Sequence, residues 1–278
     1  MSRAHISTWY NYSASLETNY YQLFYQHFVD NFHKWCDLVD TIYIIDVNWN
    51  FTDVDKKRIT DIKKEVVFYK SPIIGPHCIQ YQHFLPQIKE EQMLFMDNDC
   101  FILDRIGISQ WFDVLKDNDA VIKMDNHGGL SKPIKAKYPM ANGNDCFDMA
   151  HFLITRKFLN SLEKIDFNSY QPFPKGIYIK ELDYYTQEGD WCEMFALLFY
   201  QMLERKNTMV FSKLDGLEHI RGGSYIYLLP SYKVNAMPQY WDYIQKQPKK
   251  HTQKLIEWFV KLSGDYKLGY EMMEDLYE

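Results

Sequence analysis

The sequence predicts an α/β protein: a mixed, mainly parallel central sheet flanked by helices, with a C-terminal helical tail. Three observations carry that expectation. Short apolar runs recur through the first hundred or so residues, each bounded by polar or turn-forming residues, as strands buried on both faces require. Stretches of helical length separate them, giving the order β-α-β-α-β-α-β of a parallel doubly wound sheet. The apolar run Gln92-Met93-Leu94-Phe95-Met96 then passes straight into Asp97-Asn98-Asp99, and apolar character resumes at Cys100. Open α/β sheets present ligands at this place, outside the carboxyl ends of their strands.

Taken in order, residues 5–10 read as the first strand and residues 11–15 as the loop at its carboxyl end. A helix over residues 16–35 would set Tyr20, Leu23, Phe24, His27 and Phe28 near one face. Residues 41–46 form a second strand ending in Asp46, residues 53–64 a polar helix, and residues 65–69 a third strand. Pro72 and the Gly75-Pro76 pair break the chain before a helix over residues 77–87. The strand that ends in Asp97 is the fourth. Beyond it, residues 119–124 and 147–155 read as strands, residues 156–162 as a helix, and residues 131–144 and 166–176 as loops. A helix over residues 191–204 would gather Trp191, Met194, Phe195, Leu198, Phe199 and Met202 on one face, and residues 208–211 form a short strand. In the tail, residues 252–262 read as a helix stopped by Gly264. One domain over residues 1–229, with halves at about 1–105 and 106–229, would carry the tail, 230–278, as a packed helical extension.

Composition narrows the partners. The 278 residues carry 31 Lys+Arg against 37 Asp+Glu, a net charge of −6 with no long basic block, so a nucleic-acid polymer is not an expected partner. Aromatic residues make up 17%, and sugar rings stack their C–H faces on such rings, although most of them serve packing. Cys36, Cys78, Cys100, Cys146 and Cys192 are odd in number and widely spaced, which favours free thiols in a reducing compartment and a cytoplasmic location. No apolar run approaches the length of a membrane span, and the N-terminus has no signal-like stretch.

The acids point to chemistry. On a strand continued through them, Asp97 and Asp99 would face the same way, and like charges that close call for a cation between them. Hard oxygen donors at a strand end suit Mg²⁺ or Mn²⁺ shared with a phosphate group. The stretch resembles the Asp-x-Asp motif of nucleotide-sugar glycosyltransferases of the GT-A fold. Downstream, Leu217-Glu218-His219-Ile220-Arg221-Gly222-Gly223-Ser224 resembles the His-x-x-Gly segment of GT-A enzymes of the glycogenin and galactosyltransferase kind. The resemblance implies that His219 completes the metal shell of Asp97 and Asp99, and that Gly222 lets the backbone approach the diphosphate. Where that family carries a lysine this chain has Ser224, and Arg221 stands in for the missing charge with a fork for phosphate oxygens. Phe147-Asp148-Met149-Ala150 loosely resembles the turn that touches the donor sugar, which makes Asp148 an acceptor for sugar hydroxyls. Size and the absence of an anchor are also similar to those of small glycosyltransferases encoded by large algal DNA viruses.

The same resemblance places an acidic pair facing the reacting carbon at Glu188-Gly189-Asp190-Trp191-Cys192-Glu193. Asp190 is the candidate base and Glu188 the second choice, but Asp190 with Glu193 also fits a helix capping box. The nucleotide is expected over the first strand ends: backbone contacts from Thr8, a ring face from Tyr10, a carboxylate from Asp46, Asn98 beside the acids, and His77 opening a helix whose N-terminus favours an anion. The expected activity is therefore metal-dependent transfer from a UDP-sugar to a hydroxyl of an oligosaccharide or glycan, with inversion. Two alternatives stay open: a non-catalytic carbohydrate- or nucleotide-sugar-binding protein on the same scaffold, and a sugar nucleotidyltransferase. The second would carry a glycine-rich basic loop near residue 10, where this chain has Asn11-Tyr12-Ser13-Ala14-Ser15.

Overall fold

A computed structural model describes residues 1–10, 25, 28–98, 100–102, 104–122, 124–125, 146–147, 151–167, 174–192, 194–204, 209–211 and 217–219. Its strands are β1 (Arg3–Trp9), β2 (Thr41–Asp46), β3 (Val66–Lys70), β4 (Gln92–Asp97), β5 (Cys100–Ile102), β6 (Ala120–Ile122), β7 (Met124–Asp125), β8 (Cys146–Phe147), β9 (His151–Thr155), β10 (Tyr178–Ile179), β11 (Tyr184–Tyr185), β12 (Met209–Phe211) and β13 (Leu217–His219). Helical residues 28–32 are α1; α2 is Asp53–Ile62, α3 His77–Phe84, α4 Arg105–Val114, α5 Arg156–Asn160 and α6 Ala196–Glu204. Seven strands share one sheet in the order β12-β6-β9-β4-β1-β2-β3. All neighbours pair in parallel except β9, which runs antiparallel to both β4 and β6. The sheet is therefore mixed and mainly parallel, the class that the sequence predicts.

Alternation along the central strands sorts the core into two layers. Ala4 and Ile6 of β1, Tyr43 and Ile45 of β2, Met93 and Phe95 of β4, and Phe152 and Ile154 of β9 pack with Tyr81 and Phe84 of α3, Phe158 of α5 and Phe199 of α6. The alternate residues Trp9, Ile42, Ile44, Leu94, Met96 and Leu153 face Phe28 and Phe32 of α1, Ile59 of α2 and Ile108 and Phe112 of α4. Both faces of the sheet are thus covered, which is why its strands read as continuous apolar runs. Among the described residues Cys36, Cys78, Cys100 and Cys192 are buried and form no disulfide. Among the described residues no helix is long and apolar enough to cross a membrane.

Several boundaries differ from expectation for identifiable reasons. The first helix ends at residue 32; residues 33–35 turn and Cys36–Leu38 is a 3₁₀ turn. The helix expected over residues 191–204 begins only at Ala196. Phe195 ahead of it has φ +61°, and its N–H donates to the carbonyl of Phe167 at 3.0 Å. A left-handed backbone is costly for a residue with a side chain. The cost is met by packing: the Phe195 ring lies 5.0 Å from that of Phe152 and 5.1 Å from that of Phe167. Trp191, expected on the apolar helical face, instead precedes the helix and is 38% exposed. The sequence reading passed over α4, whose start Asp104 caps by accepting from the N–H of Ile106. The loop 131–144 and the tail 230–278, with its expected helix, lie outside the described residues.

His5 on β1 is 1% exposed and packs on Trp35, ring centroids 4.7 Å apart. Among the described residues neither of its ring nitrogens has a hydrogen-bond partner, and burial pushes its pKa down to about 3. The folded state therefore holds His5 neutral while the unfolded chain takes up a proton below its ordinary value of 6.5. Stability from this group is accordingly full above pH 6.5 and falls as pH drops toward 3, by about 1.4 kcal/mol per pH unit. Denaturant titrations of the parent and of His5→Leu between pH 6 and pH 4.5 should show the parent losing stability more steeply. Equal slopes would contradict a neutral buried His5.

Candidate functional site

Strand β4 stops at Asp97, Asn98 lies in a turn, and the chain re-enters extended structure in β5. This corrects one premise drawn from the sequence. Strand alternation does not relate Asp97 to Asp99, because the strand ends at the first acid; Asp99 itself lies outside the described residues. What the fold does supply is a second strand. β13 pairs antiparallel with β5, and the register sets His219 opposite Cys100 and Leu217 opposite Ile102. The backbone of His219 thus lies beside the residue next after Asp99. His219 enters through its backbone position alone.

Around Asp97 the parallel pairing of β1 with β4 is decisive, since it sets Thr8 directly beside Asp97. Over both strand ends lies the start of α3. Pro76 precedes the helix in an extended conformation, and His77 is its first residue. Tyr81 comes one turn later on the same face. The Nδ1 of His77 lies 3.0 Å from Oδ1 of Asp97 and within hydrogen-bond reach of the Thr8 hydroxyl. The Tyr81 hydroxyl donates to the carbonyl of Met96 at 2.9 Å and lies 3.4 Å from Thr8 Oγ1 and 3.5 Å from Asp97 Oδ1. Burial, reinforced by the Asp97 charge, raises the Tyr81 pKa well above its usual value, so it stays a donor. Tyr10 stacks at a tilt on His77, ring centroids 4.5 Å apart, and its hydroxyl donates to the carbonyl of Gly75. Thr8, Tyr10, His77 and Asp97, four residues singled out from sequence, are therefore one connected cluster. Tyr81 was missed; its spacing of four from His77 on one helix was the available signal.

Asp46 is nearby in the sheet but differently employed. Its carboxylate accepts from the N–H groups of Asn50 at 3.0 Å and Phe51 at 3.2 Å, and Lys70 Nζ lies 3.4 Å away. Asn50 takes a left-handed φ of +61° in the loop so held. An open cleft of about 270 Å³ lies beside it, lined by Asp46, Asn50, Phe51, Lys56, Phe68 and Lys70.

The acidic segment is a turn. The N–H of Asp190 donates to the Gln187 carbonyl at 3.2 Å, with Gly189 at φ +86°. Oδ2 of Asp190 accepts from the N–H of Gln187 at 2.7 Å and from the Tyr184 hydroxyl at 2.9 Å. The capping box with Glu193 is therefore not what holds Asp190, because the helix starts six residues later. Glu188 is exposed in the same turn. Asp148, Arg221 and Gly222 lie outside the described residues, and among those described no group of three His, Cys, Asp or Glu could hold a metal.

No protein-family model matches the chain, and no curated protein matches it. Solved structures of similar arrangement include a mycobacterial protein, 14% identical with a TM-score of 0.40, the match covering 58% of this chain and 55% of that one. Another is glucosyl-3-phosphoglycerate synthase from Mycobacterium tuberculosis in complex with Mn²⁺, UDP and phosphoglyceric acid, 12% identical, TM-score 0.47, covering 84% of this chain and 78% of that one. A third is a mannosyltransferase from Pyrobaculum calidifontis in complex with GDP-Man and Mn²⁺, 13% identical, TM-score 0.47, covering 99% of this chain and 69% of that one.

Asp46 generates a test of the local architecture. Asp46→Ala strips the acceptor from two backbone N–H groups and should cost about 1–3 kcal/mol in thermal or denaturant unfolding, since each orphaned buried donor carries its desolvation penalty. Asp46→Asn, which keeps one acceptor oxygen, should lose less. No loss in either variant would remove Asp46 from the loop's support.

Proposed function

We propose that the chain is a metal-dependent glycosyltransferase that moves a sugar from a nucleoside-diphosphate sugar, specifically a UDP-sugar, to a hydroxyl of an oligosaccharide or glycan acceptor, with inversion. One observation carries the reading. The carboxyl end of β4 delivers Asp97 and leads through Asn98 to β5, and the register of β5 with β13 sets His219 opposite Cys100. The end of β4 and the His219 segment, far apart in sequence, therefore both adjoin β5. Carboxylates and an imidazole are a donor set that suits Mn²⁺ or Mg²⁺.

In this reading Asp99 and His219 hold the cation, and Asp97 completes its shell or takes the ribose. Bound there, the cation would neutralise charge on the departing diphosphate. Arg221 forks onto phosphate oxygens, Gly222 permits close backbone approach, Asn98 lies along the diphosphate, and Asp148 accepts from the donor sugar. Tyr10 offers a ring face to the base and Thr8 its backbone. Asp46 would reach base or ribose only by exchanging its bonds to the 50–51 amides. Asp190 takes the proton from the acceptor hydroxyl, with Glu188, exposed in the same turn, as the second carboxylate.

Thermal denaturation with UDP and Mn²⁺ tests the metal. UDP at about 100 times its dissociation constant should stabilise the protein by about 2.7 kcal/mol. The gain should vanish with EDTA and in Asp99→Ala or His219→Ala, which should otherwise melt normally. Full metal-dependent stabilisation in both variants would contradict the assignment.

The base is tested by substitution at the turn. Asp190→Asn keeps an acceptor for the Gln187 N–H but removes the proton acceptor, so turnover should fall by about 10²–10⁴ with melting and donor binding preserved. Glu188→Gln is the comparison, and the larger loss identifies the base. Intact turnover in both variants would take the turn out of the mechanism.

A further inference from the structure

The cluster around Asp97 is organised around a single oxygen of that carboxylate. Among the described residues every contact to the Asp97 carboxylate falls on Oδ1, from His77 Nδ1 at 3.0 Å and from the Tyr81 hydroxyl at 3.5 Å. A carboxylate only accepts, so the proton between Asp97 and His77 sits on Nδ1. Thr8 Oγ1 lies within reach of the same nitrogen and faces the Tyr81 hydroxyl at 3.4 Å. Tyr81 in turn donates to the Met96 carbonyl, the last peptide before Asp97. Imidazole, hydroxyl and phenol thus brace one another, the carboxylate and the strand end together. The brace is largely dry: Thr8 is fully buried and Tyr81 is 1% exposed. Side chains locked by packing and hydrogen bonds are what a ligating group needs to keep a fixed direction.

We propose that His77 is a positioning residue for Asp97: it fixes Oδ1 and leaves Oδ2 as the oxygen offered to the divalent cation, with Thr8 and Tyr81 holding His77 in place. The inference rests on the metal-binding reading above and assigns a role to a residue that the sequence alone suggested only as the start of an anion-favouring helix. It also divides the labour within the site. α3 reaches the ligand through Asp97, and the two oxygens of that acid perform different tasks.

The test measures affinity for Mn²⁺ alone, from the free-ion signal in electron paramagnetic resonance, alongside melting temperature. His77→Ala should weaken Mn²⁺ binding by about 10- to 100-fold, the usual worth of a group that orients a ligand. His77→Asn, whose amide N–H stands near the Nδ1 position, should recover most of that loss. Thr8→Val keeps volume while removing the hydroxyl and should weaken binding by about tenfold; it carries the test should His77→Ala fail to fold. Asp97→Ala separates the two levels of the argument. Unchanged Mn²⁺ affinity in Asp97→Ala would assign Asp97 to the ribose and overturn this inference, whereas unchanged affinity in Asp99→Ala and His219→Ala as well would sink the metal reading. Lost affinity in Asp97→Ala with parental affinity in His77→Ala and Thr8→Val would leave the metal reading standing and overturn the role of His77. An Asn variant no better than the Ala variant would show that the hydrogen bond is not the cause.

Discussion

Parallel pairing between β1 and β4 sets Thr8 against Asp97 at the carboxyl edge of a sheet covered on both faces, and the rest of the site is arranged from that edge. The pairing cannot slip by one residue without turning Ala4 and Ile6 out of one core layer and Trp9 out of the other. Burial on both faces therefore fixes more than stability. It fixes which residue of β1 stands beside the acid, and so where His77 and Tyr81 must reach. The β5–β13 ladder adds a second constraint from the opposite direction, bringing a segment more than a hundred residues downstream to the turn after Asp97.

The polar groups at this edge are held by bonds that a ligand would compete with or exploit. Asp46 is committed to its own loop, whereas among the described residues Asp97 is contacted on Oδ1 alone. Two acids at the ends of sheet strands thus differ in character because the chain leaves them in different directions. After β2 the chain turns back and offers two amides to the acid; after β4 it turns away into β5.

Much of this was legible in the sequence where a local pattern decided the structure. The strand over residues 41–46 and the one ending in Asp97 follow from continuous apolar runs, and the start of α3 at His77 follows from Pro76. The clustering of Thr8, Tyr10, His77 and Asp97 was foreseen as a region but not as a network, because side-chain partners across strands leave no periodic trace. α4 was legible and overlooked: Ile108, Phe112 and Leu115 recur at helical spacing behind the Asp104 cap. The antiparallel course of β9 and the left-handed Phe195 had no local signal. No glycine marks the break at residue 195; aromatic packing against Phe152 and Phe167 imposes it, and the later helix start leaves Asp190 as the closure of a turn instead of the expected helix cap.

The central claim is that this sheet edge carries metal-dependent sugar transfer, and product formation measures it most directly. The protein would be incubated with a panel of UDP- and GDP-sugars, a mixture of oligosaccharide acceptors and Mn²⁺, and nucleoside-diphosphate release and glycan mass would be followed together. The account predicts release from a UDP-sugar, with a matching mass gain on an acceptor, and loss of both when EDTA replaces Mn²⁺. Absence of release and of transfer with every donor, from protein that binds UDP in the presence of Mn²⁺, would contradict it and identify a binding protein instead.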